Sequence, residues 1–407
     1  MAGCIRIRMY RTGFGDCFLL SFGGDENAQH VLIDFGAHMH GEIGTMKDVM
    51  ADIESETRKR LAIIVASHAH RDHISGFGTF AQRFHQFTIG EVWLPWTDDP
   101  KNKKAAALQK KQNALYERLN NHLRLAMHAK PSDPTYKAAM NALDNLRGNA
   151  LAMASLRNGF ETDARTRYLA AGRVLRKAGG VTGLTAEILS PPTDTTFFSR
   201  MNPPAHQRYL NGKDDVELAI QPFPAARTGE YRPLLTAGER KRIEDAVAAP
   251  ADRLALVLDN ARNNTSLVIL FKYEGRSLLF PGDAQWGNWQ SWIGSDDAKE
   301  LLPDLDFLKL AHHGSHNATP VSVVQALRAK GLTAMMSTQI EPYPTIPRMP
   351  LVDELQSRCH TIVLRSDWVT VDKAPIGPAL PKTNLPRGAT IGKLWIDYTL
   401  TAKGDDE

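Results

Sequence analysis

The sequence predicts an α/β protein in which two sheets pack together with helices on their outer faces, interrupted by a basic helical insertion. Three observations lead there. Short apolar or alternating runs bounded by turns recur in both halves of the 407-residue chain, and helix-spaced stretches are mixed among them. Residues 101–180 then change character, becoming helical and strongly basic. The chain accordingly divides into residues 1–100, the insertion 101–180, and residues 181–407.

In the first half, residues 5–10, 17–22, 31–34 and 61–67 read as short strands. Residues 45–59 place Met46, Val49, Met50 and Ile53 at helical spacing, the inward face of a helix. In the second half, strands at 265–273 and 276–280 flank Glu274-Gly275, a hairpin turn. A short helix at 286–293, a strand at 307–311, a helix at 321–329 and a strand at 332–337 follow. Pro342, Pro344, Pro347 and Pro350 make residues 338–350 a loop before a helix at 350–357 and a strand at 361–364. A second proline cluster, Pro375, Pro378, Pro381 and Pro386, marks an irregular excursion before a last strand at 393–398.

Within the insertion, Leu108, Leu115, Leu119, Leu123 and Met127 recur at helical spacing. After the break Pro131-Ser132-Asp133-Pro134 a second run carries Ala139, Leu143, Leu146, Ala150 and Met153, and a third helical piece is expected over 163–178. The insertion holds 16 Lys and Arg against 5 Asp and Glu, a net of +11 in a chain totalling +4, so the remainder sums to −7.

With 43% apolar and 23% charged residues the chain can bury a large core. No apolar run approaches the roughly 20 residues that cross a bilayer, so no membrane partner is expected. Residues 1–8 alternate like a strand and lack the apolar centre of a signal peptide, which points to the cytoplasm. Cys4, Cys17 and Cys359 have no CxxC spacing; so few argue against a disulfide framework and for buried thiols.

The chemistry is concentrated in Ser67-His68-Ala69-His70-Arg71-Asp72-His73, which follows the apolar run Leu61-Ala62-Ile63-Ile64-Val65-Ala66. Three imidazoles and a carboxylate at a strand end supply N and O donors suited to zinc or a similar cation. In an extended segment His68, His70 and Asp72 would point one way, leaving His73 to reach a second ion where the chain turns.

An HxHxDH motif after an apolar strand resembles the signature of the metallo-β-lactamase superfamily. Gly13-Phe14-Gly15-Asp16-Cys17, Val31-Leu32-Ile33-Asp34-Phe35-Gly36, Asn263-Asn264-Thr265-Ser266, Leu278-Leu279-Phe280-Pro281-Gly282-Asp283 and Leu308-Lys309-Leu310-Ala311-His312-His313-Gly314-Ser315 follow in an order similar to the soluble hydrolase domain of ComEC-type DNA-uptake proteins and stand-alone relatives. The resemblance covers about residues 5–95 and 183–370. It implies a four-layer αββα metallo-β-lactamase sandwich with two divalent metal ions, Zn or Mn. His68 and His70 would hold the first metal, Asp72 and His73 the second, Asp283 would bridge them, and one of His312 and His313 would complete the set. By strand alternation only one of that pair faces the ions, with His312 slightly favoured and His313 nearly its equal.

Asp34 is a candidate to orient a ligand imidazole by accepting its N–H, or else caps a turn. Asp16 reads at least as well as a turn cap. Most superfamily members place a third histidine where this chain has Asn263-Asn264-Thr265-Ser266, so the first site should be the weaker one, and manganese competes with zinc. His206 is a minor substitute. His38 and His40 read as a solvated loop near the rim, and His316 as a proton donor or a plain surface histidine.

The resemblance implies a metal-dependent hydrolase, a phosphodiesterase or nuclease, working through a metal-bound hydroxide with Asp72 also handling the water's proton. A basic insertion beside such a site suits nucleic-acid capture, although a solvated cap or an oligomerisation arm has the same composition. The alternatives are a small-molecule or phosphorylcholine esterase with the insertion as lid, or a binding module retaining metals for structure. No Gly-x-Ser-x-Gly supports a serine hydrolase.

Overall fold

The computed structural model describes residues 3–24, 27–38, 43, 45–129, 144, 149–209, 262–327, 331–340, 343–360, 362–371 and 385–403. The strands in chain order are β1 Cys4–Tyr10, β2 Cys17–Phe22, β3 Gln29–Phe35, β4 Arg60–Val65, β5 Thr88–Pro95, β6 Arg165–Leu169, β7 Arg173–Arg176 and β8 Thr185–Ser190. In the second half they are β9 Val268–Tyr273, β10 Arg276–Phe280, β11 Phe307–Lys309, β12 Thr333–Met336, β13 Val363–Arg365, β14 Ala389–Ile391 and β15 Trp395–Thr401. They form two sheets, one ordered β14-β15-β1-β2-β3-β4-β5-β6 and the other β13-β12-β11-β10-β9-β8-β7.

Period-two side chains explain why the sheets stack. Ile5, Ile7 and Met9 of β1, Phe18, Leu20 and Phe22 of β2, and Ile63 and Val65 of β4 meet Ile269, Phe271, Leu278 and Phe280 from the second sheet in one inner core. The alternate residues Leu19, Leu32 and Ile64 face outward under helices α1 Met46–Thr57, α2 Arg71–Thr79, α3 Ala81–Phe84 and, beyond α4 Lys103–Ala129, α5 Ala150–Arg157. On the far face Val268, Leu270 and Leu308 lie under α6 Trp286–Gln290, α7 Asp296–Leu301, α8 Val321–Ala326 and α9 Met349–Cys359. The layers are therefore helix, sheet, sheet, helix: the expected αββα sandwich. Met46, Val49, Met50 and Ile53 are the buried face of α1, as their spacing required.

The insertion departs from expectation at its end. Residues 165–169 and 173–176 are strands, not a third helix. Arg165–Leu169 pairs in parallel with β5, and Arg173–Arg176 pairs antiparallel with β8, so each closes an edge of one sheet. Thr166, Tyr168 and Val174 favour strands, and the arginines that mimicked a helical charge pattern instead guard exposed edges. Most of the second helical run lies outside the described residues, as do His40 and residues 372–384.

The Glu274-Gly275 turn joins β9 to β10 with both residues at positive φ, 47° and 74°, matching a tight hairpin. Among the described residues no disulfide forms, and Cys17 and Cys359 are buried thiols. Among the described residues no helix is long and apolar enough to cross a membrane.

Candidate metal centre

The HxHxDH motif straddles a strand end and a helix start. β4 stops at Val65, His70 caps α2, and Asp72 and His73 occupy the first turn of that helix. Asp72 therefore does not share an extended register with His68 and His70, because α2 begins one residue before it. Two glycine turns press directly on this junction. A Cβ on Gly36 would stand 2.4 Å from His73 N, and one on Gly15 would stand 2.7 Å from Asp72 O. No side chain fits at either position, which accounts for both glycine turns.

Asp72, His73, Asp283 and His313 converge, all buried, with one ligand atom from each within 4.8 Å of the others. Asp283 follows β10 on the Gly282 turn, where φ is 56°. His73 Nε2 lies 3.0 Å from Asp283 Oδ2, and His313 Nε2 lies 3.4 Å from Asp72 Oδ2. His73 Nε2 and Asp283 Oδ1 are nevertheless buried without a hydrogen-bond partner. Imidazole and carboxylate donors that converge in a dry site fit a shared divalent cation.

The electrostatics agree. Burial pushes the His73 imidazole down, but Asp283, Asp72 and Asp34 outweigh it and hold its pKa well above the ordinary value. Burial likewise opposes a proton on His313, yet Asp283 and Asp72 raise its pKa. Asp283 is held well below the carboxylate range: burial would raise it, but His73, His312 and His313 prevail. Carboxylates that draw protons onto neighbouring imidazoles would bind a cation in their place.

His313, and not the slightly favoured His312, joins this cluster. Alternation does not apply, because β11 ends at Lys309 and Ala311–Gly314 is a 3-10 turn with both histidines at positive φ, 46° and 54°. The turn aims His313 inward, where Nδ1 lies 3.0 Å from the Ser337 carbonyl. His312 Nε2 remains 3.9 Å from Asp283 Oδ2, near the amides of Asn263 and Gln285.

His68 and His70 are buried beside the cluster and outside that four-residue set, with His68 Nε2 2.8 Å from His70 Nδ1. Burial, then His73 and His70, hold His68 well below its ordinary pKa. Burial lowers His70 to about 3 despite Asp72. Both rings are neutral, the form a metal requires. Asn263 is buried as well, with its amide 3.4 Å from His312 Nε2.

Asp34, at φ 57° near the end of β3, accepts from Ser67 N and Ser67 Oγ at 2.7 Å each and lies 2.7 Å from His73 Nδ1. Asp16 is wholly buried and ion-paired with Lys309, so it does more than cap a turn. His38 is buried against Phe14 and Tyr343, not solvated, while His206 is exposed and apart from the cluster. His316 is half-buried.

Lys309 is the residue that sequence reasoning passed over. It is 3% exposed on the side chain, pairs with Asp16, reaches to 3.7 Å from Asp283 Oδ1, and donates to the Gly282 carbonyl at 3.1 Å. Burial works against its charge, but Asp16 and Asp283 raise its pKa. A lysine inside the apolar run Phe307-Leu308-Lys309-Leu310-Ala311 was the signal: an unpaired ammonium has no place there.

No protein-family model and no curated protein matches the chain. Among solved structures it is similar to the metallo-β-lactamase fold protein YhfI from Bacillus subtilis, with 9% identity, TM-score 0.37, and 88% of this chain and 96% of that one covered. It is also similar to a diphosphatase of the PhnP family, with 11% identity, TM-score 0.32, and 81% and 85% covered.

Proposed function

We propose that the chain is a metal-dependent hydrolase acting on phosphodiesters, with nucleic acid as its substrate class. The observation that carries this reading is the buried convergence of Asp72, His73, Asp283 and His313 at the ends of strands from both sheets. Two imidazoles and two carboxylates suit zinc or manganese. Such a cation, when bound, supplies Lewis acidity toward a phosphoryl oxygen and an acidified water.

The protein's own groups do the rest. Asp34, itself fixed by Ser67, orients His73 through its Nδ1. Lys309 anchors the Gly282-Asp283 turn by its carbonyl and carboxylate, so Asp283 is presented in one position. Neutral His68 and His70 offer donors for a second ion, and Asn263 in place of a third histidine makes that position the weaker.

Support for a polyanionic substrate comes from the insertion and the ComEC-type motif order. Lys103, Lys104, Lys110 and Lys111 of α4 are exposed. α4 packs on the Trp96–Asp98 turn after β5, where Gln109 Nε2 donates to the Thr97 carbonyl at 2.6 Å. Just beyond, Asn149 Nδ2 donates to the Ala69 carbonyl inside the motif at 2.5 Å. In this reading the exposed lysines of α4, held against the turn after β5, would gather phosphates.

The test is hydrolysis of bis(p-nitrophenyl) phosphate and of labelled single- and double-stranded DNA by chelated protein reloaded with Mn or Zn, beside an Asp72→Ala/Asp283→Ala variant. Metal-dependent DNA cleavage lost in the variant is expected. Cleavage of the small diester alone would move the reading to a lidded small-molecule esterase. No cleavage with metal bound would end it.

A further inference from the structure

A second cleft, of about 630 Å³, opens at the opposite end of the first sheet, among the starts of β1, β3, β4 and β5 and the end of β2. The length of β3 separates it from Asp34, roughly 17 Å at about 3.3 Å per residue. It is therefore no extension of the metal centre. Its volume lies within the range of small-molecule sites.

Its charge is lopsided. Among the described residues, Arg6, Arg58 and Arg60 line it against one carboxylate, Glu56. Glu56 is already shared between Arg6 and Arg8. Among the described residues, Arg58 and Arg60 have no acidic partner and are exposed. Arg58 and Lys59 end α1 in two consecutive left-handed residues, φ 49° and 58°. That backbone, an ordinary left-handed helix stop whose N–H groups reach the Glu54 and Ser55 carbonyls, sets Arg58 beside the strand starts.

On the floor, His30 Nδ1 lies 3.0 Å from Ser21 Oγ, and the hydroxyls of Ser55 and Thr88 stand nearby. Arg6 and Arg58 line the same cleft as the His30 ring, and the Glu56 charge there opposes theirs. Among the described residues, no aromatic ring besides His30 lines the cleft, so none offers a platform for stacking a base.

We propose that this cleft is a second ligand site, for a small anion carrying at least two phosphate charges and recognised by Arg6, Arg58 and Arg60. Guanidinium forks match phosphate oxygens bidentately, and the hydroxyls and imidazole would satisfy those that remain.

Isothermal titration of the full chain with inorganic pyrophosphate and with fructose 1,6-bisphosphate tests the proposal and separates a free anion from a phosphate ester as its source. Saturable binding of at least one probe, at one per chain, is expected, with Kd raised at least tenfold by Arg58→Ser/Arg60→Ser. Both side chains are exposed, so circular dichroism and melting of that variant should match the parent. Asp72→Ala/Asp283→Ala should leave Kd unchanged. Absence of saturable binding for both probes, or a Kd indifferent to the arginine pair, would overturn it.

Discussion

Asp34 Oδ2 stands 2.7 Å from His73 Nδ1, and both groups are buried. This contact decides which imidazole nitrogen carries the proton and which faces Asp283. Ser67 holds the same carboxylate through its backbone N–H and its hydroxyl. β3, β4 and α2 are thereby locked together around one ring.

Asp34→Asn keeps the shape and tolerates the left-handed backbone, but weakens the charge that orients His73. Metal affinity is expected to fall roughly 10–100-fold with the fold intact. Competition with a chromophoric chelator measures it. An affinity within twofold of the parent would remove Asp34 from the orienting role.

His313→Ala should cost more metal affinity than His312→Ala. The first removes one of four converging groups, whereas the second removes a ring 3.9 Å from the nearest cluster carboxylate oxygen. The His313 loss should exceed the 10–100-fold typical of a supporting residue. The reverse order in the same chelator titration would return the ligand role to His312.

Lys309→Met should destabilise the chelated protein by about 3 kcal/mol, the low end for a broken buried pair, because Asp16 loses its nearest cation while His73 and His313 stand 3.7 and 3.8 Å away. Urea midpoints in chelator read this directly. A loss under about 0.5 kcal/mol, the scale of an ordinary surface change, would mean the pair is solvated.

Much of this architecture is legible in the chain, since alternating apolar residues in β1, β2 and β4 divide between two cores as period two requires. The metal motif is legible for a different reason: no packing role explains three histidines and an acid at one strand end. What fails is any inference that extends a local period past the end of its element. The slight preference for His312 over His313 was misdirected by a left-handed turn, and the shared direction of Asp72 with His68 and His70 by the start of α2. The strands at 165–176 were masked by charges that serve a sheet edge as well as a helix. His38 read as solvated because nothing in its own neighbourhood announces Phe14 and Tyr343, which come from distant parts of the chain.

Acid stability offers a test away from the metal centre. Burial, then Arg6, lowers the His30 pKa to about 4, and the residue is 8% exposed. Above the unfolded value near 6.5 both states are neutral and stability is complete. As pH falls from about 6.5 toward 4, the unfolded chain takes up a proton that the folded chain refuses, so stability falls with it. A separation of that size corresponds to about 3 kcal/mol at most, and residual solvent contact reduces it to roughly 2 kcal/mol. His30→Gln cannot titrate, and other groups cancel when the two proteins are compared. Urea midpoints at pH 7.5 and 4.5 should therefore show the variant losing less stability than the parent by about that amount. Equal losses would mean that the imidazole is protonated in the folded state and that burial and Arg6 do not hold it neutral.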